Sequence, residues 1–156
     1  MKEPYRITEE DFPEFEVLSV RTKDAIGAMG KYIGALYGQA RRQGLKGAGP
    51  LFSVYYEKPA EGAKVDYEMF LPVEGPAEVL DKLPDFGGDR CLKARHAGSY
   101  AGLGGAYAAL EAEVGKRGLA MTAPPREVYV RGPLLGFLSF IPTMVTDVYF
   151  PVKSAG

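Results

Sequence analysis

The chain repeats itself, and this constrains its fold more than any other feature. Gly44-Leu45 returns as Gly118-Leu119, an offset of 118 − 44 = 74 residues; at that offset Pro50 falls on Pro124, Val54 on Val128 and Tyr55 on Tyr129. Pro72-Val73 returns as Pro151-Val152 at 151 − 72 = 79, so the second copy carries 79 − 74 = 5 extra residues between its last two strands. Ahead of the Gly-Leu pairs, Met29, Ile33, Leu36 and Ala40 fall on Leu103, Tyr107, Leu110 and Val114. Both stripes run i, i+4, i+7, i+11, one face of an α-helix. Two unrelated amphipathic halves would share the stripes but not the paired prolines.

Each copy reads strand, helix, strand, strand. In the first, Phe15 to Arg21 is a strand, Ala25 to Gln43 a helix stopped by Gly44, and Leu51 to Glu57 and Val65 to Val73 a hairpin around Lys58-Pro59-Ala60-Glu61-Gly62. In the second, Arg90 to Ala94 is the strand, Tyr100 to Lys116 the helix, and Arg126 to Arg131 and Met144 to Val152 the hairpin strands. One helix over three short strands has little core. Two copies side by side predict an α+β fold: a two-layer domain with both helices on one face of the sheet and a ligand cleft on the other. The whole chain, 1–156, is expected to be one domain, with repeats at about 15–73 and 90–152 and a linker over 74–89. The 156 residues suit one domain of usual size. Ten Tyr and eight Phe exclude disorder, and one Cys excludes a disulfide scaffold. Acidic residues and the lack of a signal-peptide core near the start predict a cytoplasmic protein. No apolar run spans a membrane, and a formal net charge of −1 gives no reason for direct nucleic-acid binding.

Strand parity makes a prediction about the face without helices. Val128 and Val130 suit the helix side, which sends Glu127, Tyr129 and Arg131 the other way. The equivalent strand assigns Val54 and Tyr56 to the helices and Ser53, Tyr55 and Glu57 to the open face. In the last strand Val148, Phe150 and Val152 are core, leaving Asp147 and Tyr149 open, with Glu68 and Phe70 as their counterparts. The open face thus collects Tyr55, Phe70, Tyr129 and Tyr149 with Glu57, Glu68, Glu127 and Asp147. Rings offer flat apolar area and a negative π face, and a poorly solvated acid among them attracts a cation. That combination describes a pocket for apolar or cationic aromatic molecules. The plain alternative is an ordinary polar outer sheet face.

The run Lys93-Ala-Arg-His-Ala-Gly-Ser-Tyr100, then Pro125-Arg-Glu-Val-Tyr129 and Thr146-Asp-Val-Tyr-Phe-Pro-Val152, resembles the GyrI-like small-molecule-binding domain. Gly44-Leu45 and Leu51-Phe-Ser-Val-Tyr-Tyr56 match it in the first half, so the resemblance runs from about Tyr5 to Val152. It implies a duplicated strand-helix-strand-strand module, the effector-binding part of some AraC-type and MerR-type transcription regulators. A start near Tyr5 leads us to expect the stand-alone form, without a helix-turn-helix. The resemblance implies that Glu127 is the acid that meets a cationic ligand. Tyr129, Tyr55, Phe70 and Tyr149 are candidate walls, by parity more than by motif, with Glu68 and Asp147 beside them. It implies three readings: effector sensing or sequestration; hydrolysis of strained cyclopropane-type toxins, with Glu127 as general base and Tyr129 beside it; or a protein-interaction role such as gyrase inhibition. The absence of Trp departs from the hydrolytic relatives. The expected partners are a small organic ligand and a separate regulatory protein, and the chain is expected to be a monomer or weak dimer.

No cofactor or metal is expected. His96 is the only histidine and Cys91 sits on a different element, so a zinc set does not assemble. His96 reads instead as a residue of the strand-to-helix turn that caps or lines the pocket. Ser99 reads as an N-cap of the second helix, and Gly102, Gly104 and Gly105 as residues that let the helix sit close to the sheet. Lys31, Arg41, Arg42 and Lys46 form a solvated helix face. The apolar run Leu134 to Pro142 reads as a buried connection, a lid or a dimer contact.

Overall fold

The computed structural model describes residues 5–58, 62–131 and 144–156. In chain order the elements are β1 (Ile7–Asp11), β2 (Phe15–Ala25), a 3-10 turn (Ile26–Ala28), α1 (Met29–Arg42), β3 (Lys46–Gly47), β4 (Phe52–Tyr55), β5 (Lys64–Glu74), α2 (Ala77–Leu80), β6 (Asp85–Phe86), β7 (Arg90–Ala97), a second 3-10 turn (Tyr100–Gly102), α3 (Gly104–Lys116), β8 (Leu119–Met121), β9 (Arg126–Arg131) and β10 (Val145–Ser154). They divide into two compact units, Pro13–Gly87 and Met1–Phe12 with Gly88–Gly156. The fold is α+β, as expected.

In Pro13–Gly87, β5 is the central strand. It pairs antiparallel with β2 (Leu18 opposite Leu71), with β4 (Phe52 opposite Phe70) and, at its end, with β3 (Lys46 opposite Glu74). α1 covers one face and buries Met29, Ile33, Leu36 and Ala40, the stripe read from the sequence. Its end is fixed by Gly44 in the left-handed region, φ 72°. The Leu45 amide donates to the Ala40 carbonyl at 2.9 Å and the Gly44 amide to the Arg41 carbonyl at 3.3 Å. This is a Schellman cap, and it satisfies two carbonyls the helix would otherwise leave open.

The second unit, Met1–Phe12 with Gly88–Gly156, is built around its last strand. β10 is central, paired with β7 (Val148 opposite Ala94), with β9 (Val148 opposite Glu127) and with β8 (Val152 opposite Met121). α3 packs Leu103, Ala106 and Leu110 on Leu92, Ala94, Val148, Phe150 and Val152; Tyr107 and Val114 are partly buried against the same cluster. Gly118, φ 64°, ends α3 as Gly44 ends α1. The two short strands after these glycines, β3 and β8, are absent from the sequence reading. Strands of two and three residues carry too little alternation to be recognised.

The stretch 74–89 holds α2 and β6, and β6 extends the sheet by pairing Phe86 with Phe15. β1 also escaped the sequence reading; it pairs with β7, Ile7 opposite Ala94. Ser99 does not cap α3: the residue in that position is Leu103, and no side chain bonds there. The apolar run over 134–142 and part of the first hairpin turn, 59–61, lie outside the described residues. Among the described residues, no helix is long and apolar enough to cross a membrane.

Candidate functional site

The strongest candidate from the sequence is an acid in the core. Glu127 on β9 is 1% exposed. Tyr107 of α3 donates its phenol proton to Oε2 at 2.5 Å, and Tyr129 donates to Oε1 at 3.0 Å. Directly opposite Glu127 on β10 is Val148, a member of the cluster beneath α3. Opposite residues of an antiparallel pair share a face, so Glu127 points to the helix side.

This overturns the predicted face of β9. Tyr129 lies opposite Thr146 and is on the helix side with Glu127, whereas Val130 is 38% exposed. Valine-in, acid-out alternation is reversed here because Tyr107 and Tyr129 give the carboxylate two donors. A buried polar group with partners is tolerated where one without is costly. Sequence periodicity marks Tyr107 only as part of the helix stripe. The available signal was its type: a phenol among Leu103, Leu110 and Val114 requires a partner once buried.

Tyr149 and Asp147 do lie on the face opposite α3, but that face is covered. The Phe12 ring meets Tyr149 edge-on, centroids 4.8 Å apart, and the Arg126 guanidinium sits 4.7 Å from the Phe12 ring centre. Arg126 is held by Asp89 through two bonds of 2.7 Å. Asp147 accepts from Arg95 at 2.8 and 3.0 Å and lies 3.6 Å from the Lys93 ammonium. Burial pushes the Tyr149 phenol above its ordinary range.

The same division holds within Pro13–Gly87. Tyr55 is buried opposite Tyr67, whose ring meets Tyr32 of α1 edge-on at 6.3 Å, so Tyr55 is on the helix side. Its predicted face is therefore also reversed. Phe70 is on the other face, stacked on Phe52 at 4.8 Å and touching Phe86 at 4.7 Å. Glu68 accepts from the Tyr56 hydroxyl at 2.6 Å; burial, then this bond, pushes the Tyr56 phenol up to about 12. Tyr56 thus leaves the helix side to which parity assigned it. Glu57 is spent on the Asp66 amide at 2.9 Å and on Lys23 at 3.3 Å. The eight side chains assigned to one open face are therefore divided between the two faces of their sheets.

His96 ties the start of α3 together. Its Nε2 lies 2.8 Å from the Ser99 carbonyl, which can only accept, so Nε2 carries the proton and Nδ1 accepts from the Tyr5 hydroxyl at 2.8 Å. A Cβ at Gly102 would lie 3.2 Å from the His96 ring, and one at Gly105 3.1 Å from Tyr5 Oη. Gly102 thus permits a close approach to His96 of β7 and Gly105 to Tyr5, whereas an added Cβ at Gly104 meets nothing within 4 Å, so the expected closeness to the sheet does not extend to Gly104. Among the described residues, no three His, Cys, Asp or Glu side chains gather as a metal site. A shallow groove of about 280 Å³ runs between β1 and α3, lined by Tyr5, Ile7, Ala109, Ala112, Glu113 and Arg117. It contains none of the expected site residues.

Comparison with known proteins bears on what such a site serves. The family description of the GyrI-like small molecule binding domain matches residues 5–153. A search of curated proteins returned no significant match. Among solved structures, the EcmrR C-terminal domain is similar at 23% identity and TM-score 0.73, covering 96% of this chain and 98% of that one. EcmrR in a DNA complex matches at 22% identity and TM-score 0.77; the match covers 97% of this chain but spans only 58% of EcmrR. A hydrolase encoded by lin2189 of Listeria innocua matches at 17% identity and TM-score 0.71, covering 95% and 92% of the two chains. SAV2435 bound to tetraphenylphosphonium matches at 13% identity and TM-score 0.51, covering 96% and 93%. With the family description spanning nearly the whole chain, this protein belongs to the GyrI-like small molecule binding domain family.

Proposed function

We propose that the chain binds apolar, cationic aromatic molecules on the helix side of its Gly88–Gly156 unit, with the Glu127 carboxylate as the charge contact. Tyr107 and Tyr129 hold that carboxylate until a cation takes over its charge, and their rings are the adjacent walls. In this reading the protein senses or sequesters its ligand, in connection with transcription regulation. Phe70, Glu68, Tyr149 and Asp147 are given no ligand contact, because each is engaged on the opposite face of its sheet.

The observation that carries this reading is a carboxylate 1% exposed in the core, held by two phenols. Taking an ionised carboxylate out of water costs several kcal/mol, roughly, even after local relaxation. An apolar residue would serve the fold at less cost, so a buried acid at this position points to use. The regulator EcmrR and the phosphonium-bound SAV2435 share the fold and support the same reading.

The test is calorimetric titration with tetraphenylphosphonium and with neutral triphenylphosphine oxide. Glu127→Gln is expected to weaken the phosphonium about ten- to a hundredfold, the worth of one charged contact, and to spare the neutral compound. Equal phosphonium affinity in parent and variant rejects the role of Glu127.

A second reading rests on the same residues. A carboxylate within hydrogen-bond reach of a phenol is also an acid–base pair, and the Listeria innocua neighbour is described as a hydrolase. It requires more than one equivalent of product per chain from a strained electrophile, lost in Glu127→Gln.

A further inference from the structure

Thr146 on β10 is 1% exposed, and among the described residues its hydroxyl has no hydrogen-bond partner. Buried hydroxyls nearly always find one. Across the sheet Thr146 lies opposite Tyr129 on β9 and opposite His96 on β7. Residues in such a row share a face. The next row on that face is Ala94, Val148 and Glu127. The orphan hydroxyl therefore stands one row from the candidate carboxylate, beside the phenol that holds it.

The fold has no use for this oxygen. Valine fills the same volume, suits a strand at least as well and buries no unpaired polar atom. We infer that Thr146 is a hydrogen-bonding subsite of the ligand pocket. The occupant is then an organic cation that also carries a hydroxyl, carbonyl or amine about 7–8 Å from its charge, the diagonal separation of residues one row apart on neighbouring strands. This inference rests on the Glu127 reading for the position of the charge.

The probes are tetraphenylphosphonium and its 2-, 3- and 4-hydroxyphenyl analogues, titrated into the parent, Thr146→Val and Thr146→Ser. In the parent at least one hydroxylated analogue binds about fivefold tighter than the unsubstituted cation, one ordinary hydrogen bond. In Thr146→Val that ratio falls to one, and Thr146→Ser keeps it. The ligand-free Thr146→Val protein melts at a higher temperature than the parent, because it has lost an unpaired buried hydroxyl. A ratio that Thr146→Val leaves unchanged, or that is one for all three isomers in the parent, overturns the subsite. A lower melting temperature also overturns it, since the hydroxyl then already serves the fold. Equal binding of tetraphenylphosphonium by the parent and Glu127→Gln removes the charge contact alone, while the Thr146 ratio is read independently. If no phosphonium binds, both proposals fall.

Discussion

Tyr107 on α3 reaches across to β9 and donates to Glu127 at 2.5 Å, so the helix is tied to its sheet through an acid in the core. The surrounding contact is apolar: Tyr107 packs on Phe150 with ring centroids 5.8 Å apart, and Leu103 and Leu110 lie on the same stripe. One phenol therefore both fills the helix–sheet interface and partners the candidate ligand contact.

Removing that donor has a direct cost. Tyr107→Phe keeps the ring and deletes one hydrogen bond to a buried carboxylate. The expected loss is about 1–3 kcal/mol, read from the denaturant midpoint at constant slope. An unchanged midpoint means that the bond does not form in solution.

A second prediction concerns acid. The Tyr32 phenol donates to Asp24 at 2.6 Å, the Ala25 amide donates at 2.8 Å and Lys31 lies 3.2 Å away. Together, the phenol foremost, they hold the Asp24 carboxyl down at about 2, below its ordinary 3.8. A lowered folded-state pKa stabilises above the unfolded value and is lost as pH falls through the folded one. Asp24→Asn is therefore expected to be less stable than the parent at pH 6, with the gap closing between about pH 4 and pH 2. A gap that stays constant over that range refutes the linkage. Far-UV circular dichroism across acid titration reads it.

Glycine substitutions separate backbone strain from collision. Gly44 (φ 72°) and Gly118 (φ 64°) have nothing within 4 Å of an added Cβ. Alanine at either costs only the left-handed conformation, about 1–2 kcal/mol. Gly87 (φ 108°) differs, because its Cβ would lie 2.0 Å from the Pro13 carbonyl oxygen. Gly87→Ala is expected to cost more than either helix-end variant, as thermal midpoints will report. A ranking with Gly87→Ala mildest contradicts the turn.

The buried cysteine should be silent. Burial pushes the Cys91 thiol up to about 12, so thiolate is scarce at pH 8, and the side chain is fully enclosed. Ellman's reagent is expected to leave the native protein unmodified and to titrate one thiol after denaturation in guanidinium. Rapid modification of the native protein excludes the buried placement.

The sequence alone determined the α+β class and its longer elements, because local periodicity sets them. The four-residue stripe on α1 is the four residues buried there, and the glycines that stop the helices have the positive φ such stops require. β9 has the bounds read from the sequence, Arg126–Arg131. Only the tertiary structure decided which way the strands face. β4 is buried at every residue and β10 from Val145 to Val152, so polarity alternation in these strands cannot mark the helix side. The second face is covered by Phe12 in one unit and Phe86 in the other, residues in segments without readable periodicity. Glu127 illustrates the consequence. An acid is expected to point toward water unless a donor awaits it inside, and that donor, Tyr107, is 20 residues away on another element. A one-residue change of parity moves a side chain to the opposite face, and long-range hydrogen bonds made that choice.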